Sequence, residues 1–215
     1  MLQLLVEEQN SFEYSHTSEI VQQSLIDTAI RNQNQKIVIL NDGNAYHPGG
    51  GLLNRQQTSE EQICRCSDLY GTLIQCIDQF YFYNSDILDS NDTVRAIVSK
   101  NYIFRDINLQ FLENPVEVTI ITCPSIITNQ QLNRDRSLKL MKQRIDNIMT
   151  LIQSLNADVA IFGAFGCEGN SADPQFVAQC FKENINNNRC CKRNIFAIEA
   201  DENVQAFKHV FESDN

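Results

Sequence analysis

Two patterns of apolar residues alternate along this chain, and together they predict alternating strands and helices. Short runs of consecutive apolar residues, many of them β-branched, are typical of buried strands. We predict such strands at residues 37–41, 116–122, 158–162 and 194–198. Between them, apolar residues recur at helical spacing. This second pattern predicts helices at residues 18–31, 60–76, 136–155, 173–181 and 202–211.

The remaining segments complete the predicted architecture. Residues 96–98 and 102–104 have the character of short edge strands, and 84–93 of a polar loop. The aromatic cluster at 80–83 is better explained by packing than as a stacking platform. Near-continuous apolar strands need cover on both faces, so we predict an α/β fold of three layers with a mostly parallel sheet. No repeat or linker divides the chain, and we predict one domain over residues 1–215.

Composition narrows the possible classes of protein. The 215 residues are 42% hydrophobic, enough for one complete core. The net charge of −10 argues against a surface for duplex nucleic acid, because phosphate binding there needs clustered Lys and Arg. No apolar run has membrane-spanning length and no signal peptide is evident, so we expect no membrane association.

The eight cysteines do not have the spacing of a disulfide framework or a zinc site. Several lie in apolar or helical contexts, and Cys64, Cys66, Cys190 and Cys191 lack the CxxC spacing of zinc ligands. We therefore expect reduced thiols, an intracellular, cytoplasmic setting and no metal.

Two glycine-rich segments follow predicted strands, and ligands of open α/β sheets bind at these carboxyl ends. The first contains Pro48, Gly49, Gly50 and Gly51; the second contains Gly163, Ala164, Phe165 and Gly166, followed by Cys167. Glycines let main-chain N–H groups approach a phosphate, so the two segments could hold the halves of a diphosphate. A structural turn is the alternative for each, because the common nucleotide fingerprints are absent. Cys167 has no neighbouring base and is better explained as a packing residue.

Glu60 and Glu61 open the predicted helix at 60–76 and allow two interpretations. Thr58 and Glu61 have the spacing of a capping box, which requires an ionised Glu61. A general acid instead needs its pKa raised by burial or by a neighbouring carboxylate. The two interpretations therefore predict opposite charge states for Glu61.

Taken together, these residues resemble the microbial-type poly(ADP-ribose) glycohydrolases, a branch of the macrodomain superfamily. The pattern of that family is P-G-G-G, a seven-residue spacer and Q-E-E. Here Pro48, Gly49, Gly50 and Gly51 precede such a spacer, and Ser59, Glu60 and Glu61 follow it. The likeness spans roughly residues 18–212 and continues in segments 64–70, 103–106, 121–124, 160–167 and 196–198.

The resemblance implies a macrodomain-like fold and a hydrolase that removes ADP-ribose from modified protein or nucleic acid without a cofactor. It implies that Glu61 protonates the leaving oxygen at the anomeric carbon and that Glu60 orients the distal ribose. The glycines 49–51 would line the diphosphate and ribose pocket, and the 163–166 segment would wrap the diphosphate. The full set of implied ligand-binding residues is Asn41, Asp42, Asn44, Pro48, Gly49, Gly50, Gly51, Ser59, Gly163, Ala164, Phe165, Gly166 and Cys167.

Three departures from the family pattern leave alternatives open. Ser59 replaces a Gln, residues 168–170 replace a glycine, an apolar residue and an aromatic, and 41–44 replaces a more apolar run. Within residues 41–44 of this chain, Asp42 could accept a hydrogen bond from an adenine amine or cap a turn. The substrate is then poly- or mono-ADP-ribose, and a non-catalytic ADP-ribose reader and a protein-interaction scaffold are the alternatives to an enzyme.

Overall fold

The computed structural model describes residues 16–86, 93, 95–126, 134–167, 172–187 and 190–213. Its centre is a six-stranded sheet with the order β1-β6-β5-β2-β4-β3. Neighbouring strands are parallel throughout except for β3, which pairs antiparallel with β4 at one edge. The strands are β1 (Thr17–Val21), β2 (Ile37–Asp42), β3 (Ile97–Arg105), β4 (Phe111–Cys123), β5 (Val159–Phe162) and β6 (Arg193–Ala197).

Helices cover both faces of the sheet, as the apolar pattern predicts. On one face pack α1 (Leu25–Arg31), α2 (Ser59–Cys66), α3 (Leu69–Gln75) and a π-helical turn (Ile77–Phe82). On the other pack α5 (Arg134–Ser154), α6 (Pro174–Asn186) and α7 (Asp201–Glu212). A 3₁₀ turn (Leu52–Asn54) and the short α4 (Tyr83–Asp86) complete the elements. Successive residues of β2 alternate between the two cores, which confirms the three-layer, mostly parallel α/β prediction.

The predicted helix at 18–31 is wrong in its first part. Residues Thr17–Val21 form edge strand β1, which pairs with β6, and the helix begins only at Leu25. Ser24, not Ser18, is its N-cap and accepts from Asp27 N at 3.0 Å. Ile20 and Val21 fit a helical stripe, but as β-branched residues they fit a strand equally well.

The predicted helix at 60–76 is two helices, α2 and α3, with a break at Ser67. Ser67 forms an isolated antiparallel bridge with Ile103 of β3. Its hydroxyl donates to Ile63 O at 2.7 Å and accepts from Leu69 N at 3.2 Å. A contact with a distant strand therefore interrupts a sequence that has helical spacing throughout.

The region after α3 also differs from the predictions. The two short edge strands are one continuous strand, β3, and Asn84 belongs to α4 rather than to a loop. Residues 87–92 lie outside the described residues. Phe80 and Tyr81 are buried in the core with their rings 4.9 Å apart, as expected for packing residues.

All eight cysteines are free thiols in the structure. Burial raises the pKa of Cys64, Cys123 and Cys191 to about 12, so these three are protonated at neutral pH. Among the described helices, none is both long enough and apolar enough to cross a bilayer. The intracellular setting and the single domain over 1–215 stay predictions.

Candidate active site

The two candidate acids lie at the start of α2, where the helix meets the carboxyl end of β2. Thr58 is the N-cap, and Glu60 and Glu61 occupy the first turn. Both acids are buried, at 3% and 2% exposure. Such burial is rare for ionisable side chains unless each has dedicated partners. The partners of the two acids differ.

Glu60 has few partners for its charge. Its Oε2 accepts from the Asn44 N–H at 2.8 Å, while Oε1 has no hydrogen-bond partner within the described ranges. Burial is the main cause that raises the pKa of Glu60 to about 8; the negative charges of Glu61 and Asp42 act in the same direction, and hydrogen bonding to Asn44 and Asn41 opposes them. Glu60 is therefore a neutral carboxyl group at pH 7, with a proton available.

Glu61 is held as a carboxylate. Its Oε1 accepts from the Gly51 N–H at 2.6 Å, and its Oε2 accepts from the Thr58 N–H at 2.8 Å and from the Thr58 hydroxyl. Burial alone would raise the pKa of Glu61, but these hydrogen bonds outweigh it and the pKa lies below the usual value. Thr58 and Glu61 form a capping box, so the capping interpretation holds in the free protein.

The three glycines of the first segment pack against the chain itself. A Cβ on Gly50 would lie 2.6 Å from Glu61 Oε1 and 2.9 Å from Glu60 Oε2, and Gly50 also has a φ of +57°. Gly49, with a φ of +68°, lies against the ring of Tyr70. The Gly50 N–H donates to His47 O at 3.0 Å. With the Gly51 N–H used by Glu61, two of the three predicted phosphate donors are already occupied.

Beside the acids is a cleft of about 150 Å³. It extends from the N-terminus of α2, across the ends of β2 and β5, to the N-terminus of α7. Its lining contains two carboxylates and no Lys or Arg: Leu25, Leu40, Asp42, Ser59, Gln62, Gly163, Ala164, Phe165, Ala197, Ile198, Glu199, Ala200 and Asn203. An anion in this cleft would therefore depend on main-chain N–H groups and helix termini.

The second glycine-rich segment supplies such N–H groups. In the described part of the chain, the N–H groups of Gly163, Ala164 and Phe165 make no hydrogen bond. The next two are occupied: Gly166 N donates to Asp42 Oδ2 at 2.9 Å, and Cys167 N donates to Ala164 O at 3.0 Å. Three consecutive main-chain donors in a cleft wall are suited to a phosphate.

The structure brings only part of the predicted ligand set to this cleft. Asp42, Ser59, Gly163, Ala164 and Phe165 line it. The rest lie around the buried acids or in the core and do not line it: Asn41, Asn44, Pro48, Gly49, Gly50, Gly51, Gly166 and Cys167. A larger cleft, of about 550 Å³, lies between α5, β3 and the π-helical turn and includes none of the predicted site residues.

Several of those residues have supporting roles. The Asn44 side chain accepts from Tyr46 N at 2.8 Å and His47 N at 2.9 Å, and so shapes the turn before the glycines. Asn41 is fully buried and donates to Thr122 Oγ1 at 3.1 Å. Phe165 is 2% exposed and belongs to the core, and it also contributes to the wall of the cleft. Residues 168–170 lie outside the described residues.

Among the lining residues that sequence analysis missed, three lie together at one helix start. Glu199, Ala200 and Asn203 line the cleft at the start of α7. The signal was available, because they follow the strand at 194–198 and so lie at the same carboxyl edge as the two glycine segments. However, no glycine lies beside these residues, and residues of these types are common at the start of a helix that has no ligand.

Comparison with known proteins agrees with this geometry. Residues 4–106 match the family model of the microbial-type PARG catalytic domain, where PARG is poly(ADP-ribose) glycohydrolase. The structure is similar to PARG from Deinococcus radiodurans in complex with ADP-ribose, with a TM-score of 0.86 and 26% identity over 94% of this chain and 87% of that one. Over residues 4–106 the chain is similar to the microbial-type PARG family. No curated protein sequence matches it.

A second PARG extends the likeness of the fold. PARG from Thermomonospora curvata has a TM-score of 0.85 and 23% identity, with coverage of 94% of this chain and 79% of that one. The sheet and both helical layers of this chain therefore have the macrodomain-like PARG fold. The part matched by the family model contains the glycine segment, Glu60 and Glu61.

Proposed function

We propose that this chain is an ADP-ribosyl hydrolase that, like the PARGs it resembles, acts on ADP-ribose and cleaves the bond at the anomeric carbon of the distal ribose. One observation carries the proposal. Two buried acids with opposite charge states, Glu60 and Glu61, lie beside a cleft whose main-chain donors at residues 163–165, unpaired among the described residues, suit a diphosphate.

The cleft can attract a diphosphate without basic side chains. The N-termini of α2 and α7 reach it at Ser59 and Ala200, and helix N-termini attract anions. The N–H groups of Gly163, Ala164 and Phe165 add donors between them. This arrangement agrees with the ligand of the D. radiodurans PARG, which is ADP-ribose. It also favours the hydrolase over a protein-interaction scaffold.

The acid pair supplies the proton for cleavage. Glycoside hydrolysis needs an acid that protonates the leaving oxygen while an oxocarbenium-like centre forms and water attacks. In the free protein Glu60 carries the proton and Glu61 is ionised, the reverse of the state needed if Glu61 is the acid. For Glu61 to act as the acid, it must release the Gly51 and Thr58 hydrogen bonds and gain a proton. The neighbouring carboxyl group of Glu60 carries a proton that Glu61 can accept.

Access to the pair requires a movement of the glycine segment. Glu60 and Glu61 are 3% and 2% exposed, and Gly50 lies directly against both carboxyl groups. We expect the distal ribose to displace residues 47–51 and to take over the hydrogen bonds of the acids. Gly49 and Gly50 both have a positive φ, and glycines can adopt conformations that residues with a Cβ rarely reach.

The substrate is ADP-ribose joined to a macromolecule, either as the polymer or as a single unit on protein or nucleic acid. The test is release of ADP-ribose from poly(ADP-ribose) and from a mono-ADP-ribosylated protein. We expect turnover by the wild type on at least one substrate and a loss of about 100-fold or more in kcat for Glu60→Gln and for Glu61→Gln. Glu212→Gln, an exposed acid at the end of α7, is the matched control.

Each outcome discriminates between the candidate functions. Equal turnover by the wild type and both site variants would exclude the acid pair from the chemistry. Tight ADP-ribose binding without turnover of either substrate would indicate a reader module instead. If the protein does not bind ADP-ribose at all, the protein-interaction scaffold is the remaining candidate function.

A further inference from the structure

Asp42, the last residue of β2, connects two loops at the carboxyl edge of the sheet. Its Oδ1 accepts from the Ser125 N–H at 3.0 Å, in the segment that follows β4. Its Oδ2 accepts from the Gly166 N–H at 2.9 Å, in the segment that follows β5. Because β2 lies between β4 and β5, one side chain on the central strand joins the loops of both neighbours.

The loop on the β4 side is itself firmly held. Arg144 of α5 is 7% exposed and donates to Pro124 O at 2.7 Å and to Ser125 O at 3.3 Å. It also donates to Thr93 O at 2.9 Å. Ser125 is therefore fixed on both sides, through its carbonyl by Arg144 and through its N–H by Asp42.

The loop on the β5 side has its fixed point at Gly166. A Cβ there would lie 2.6 Å from Met141 Cε and 3.1 Å from Ser125 Cβ, and Gly166 has a φ of +76°. Gly166 thus packs closely on the segment that Arg144 holds. The three residues before it, 163–165, carry the N–H groups of the cleft wall that make no hydrogen bond to any other described residue. Their direction depends on where Gly166 is anchored.

We infer that Asp42 is a positioning residue, which by holding Gly166 against Ser125 keeps the N–H groups of residues 163–165 directed to a diphosphate in the cleft. The inference rests on the proposed ADP-ribose function. It assigns Asp42 the role of joining loops rather than of accepting from an adenine amine. Both carboxylate oxygens already accept a main-chain hydrogen bond, which favours this role.

The test compares Asp42→Ala and Asp42→Asn with the wild type. Ala removes both acceptors, whereas Asn keeps one oxygen. Asp158→Ala is the matched control, because Asp158 precedes β5 at the opposite edge and accepts from Lys36 N at 3.2 Å. Three quantities are measured: amide hydrogen exchange of residues 163–167, the Kd for ADP-ribose, and the Kd for its hypoxanthine analogue, which lacks the adenine amine.

We expect Asp42→Ala to accelerate exchange at 163–167 and to weaken ADP-ribose binding by about tenfold, the loss typical of one or two hydrogen bonds. Asp42→Asn should lie between Ala and the wild type, and Asp158→Ala should leave exchange at 163–167 and the Kd unchanged. Charge alone would act in the other direction, since removing a carboxylate near a diphosphate strengthens binding. Weaker binding by Asp42→Ala therefore identifies positioning as the dominant effect.

The hypoxanthine analogue separates the two roles of Asp42. If Asp42 positions the loop, Asp42→Ala weakens both ligands by the same factor. A preference of the wild type for ADP-ribose that disappears in Asp42→Ala would overturn the inference in favour of adenine recognition. Unchanged or tighter binding by Asp42→Ala would overturn it as well. A wild type that binds neither ligand would instead remove the proposed function, and this inference with it.

Discussion

Glu60 and Glu61 are adjacent in sequence, yet burial shifts the pKa of Glu60 upwards while hydrogen bonds hold that of Glu61 down. The two pKa values differ because the two carboxyl groups have different hydrogen-bond donors around them. Glu61 accepts from Gly51 and Thr58 through both oxygens, whereas Glu60 accepts from the Asn44 N–H on one oxygen and is dominated by burial. One turn of helix thus holds a neutral acid and a carboxylate side by side, which is the composition that acid-assisted cleavage requires.

The raised pKa of Glu60 predicts a specific dependence of stability on pH. Folded Glu60 keeps its proton up to about pH 8, while the unfolded side chain loses it near pH 4.5. Between these values the native state binds more protons than the unfolded state, so the free energy of unfolding falls as pH rises. Glu60→Gln cannot ionise, and we expect its stability relative to the wild type to increase by roughly 3–5 kcal/mol from pH 4.5 to 8.

Urea unfolding of both proteins at several pH values measures this difference. The constant effect of exchanging Glu for Gln cancels in the slope, so the slope is the quantity to compare. Parallel stability curves for the wild type and Glu60→Gln would show that Glu60 is ionised in the folded protein at neutral pH.

Glu61→Gln should show the opposite sign. A lowered folded pKa stabilises the native state above the unfolded pKa, and that contribution is lost as pH falls through the folded value. We expect Glu61→Gln to be less stable than the wild type by about 1–2 kcal/mol at pH 7, the usual cost of a lost cap, with the gap narrowing below pH 4. Thermal unfolding at pH 3 and pH 7 provides the measurement, and a gap of the same size at both would contradict it.

The fold of this chain was largely predictable because its strands are buried. β5 and the first four residues of β2 are continuous apolar runs, which are typical of short strands covered on both faces. Residues 18–21 were predicted wrongly as helix because β1 is an edge strand with partly exposed residues, whose pattern also fits a helix. The break at Ser67 could not be predicted, since its cause is the bridge to Ile103, 36 residues further along the chain.

The positions of the two glycine segments were predictable, whereas the hydrogen bonding of the candidate site was not. Both glycine segments were expected at the carboxyl edge, and both are there. Which main-chain N–H groups remain available was not predictable. The acceptors that occupy Gly51 and Gly166 are the side chains of Glu61 and Asp42, which only the folded chain brings to them. The charge states of Glu60 and Glu61 likewise depend on burial that spacing along the sequence does not reveal.

Gly50→Ala should be strongly destabilising. The new methyl group would lie within 3 Å of an oxygen of each acid, and the φ of +57° disfavours any residue with a Cβ. We expect a loss of roughly 2–3 kcal/mol in the free energy of unfolding and little hydrolase activity. The matched control is Gly71→Ala in α3, where a Cβ meets nothing within 4 Å. There, Ala should stabilise the helix by up to about 1 kcal/mol, and equal effects at the two positions would refute this explanation of Gly50.

Ser59→Gln should strengthen ligand binding. Ser59 is the first residue of α2 and lines the cleft at the position where the family has Gln. A Gln amide reaches about two bonds further than a serine hydroxyl and offers both a donor and an acceptor. One additional neutral hydrogen bond contributes about 0.5–1.5 kcal/mol, so we expect the Kd for ADP-ribose to fall by roughly 2- to 10-fold. Calorimetry beside Ser154→Gln, the same exchange at the end of α5, provides the comparison. Unchanged or weaker binding by Ser59→Gln would mean that the shorter side chain suits the ligand of this chain.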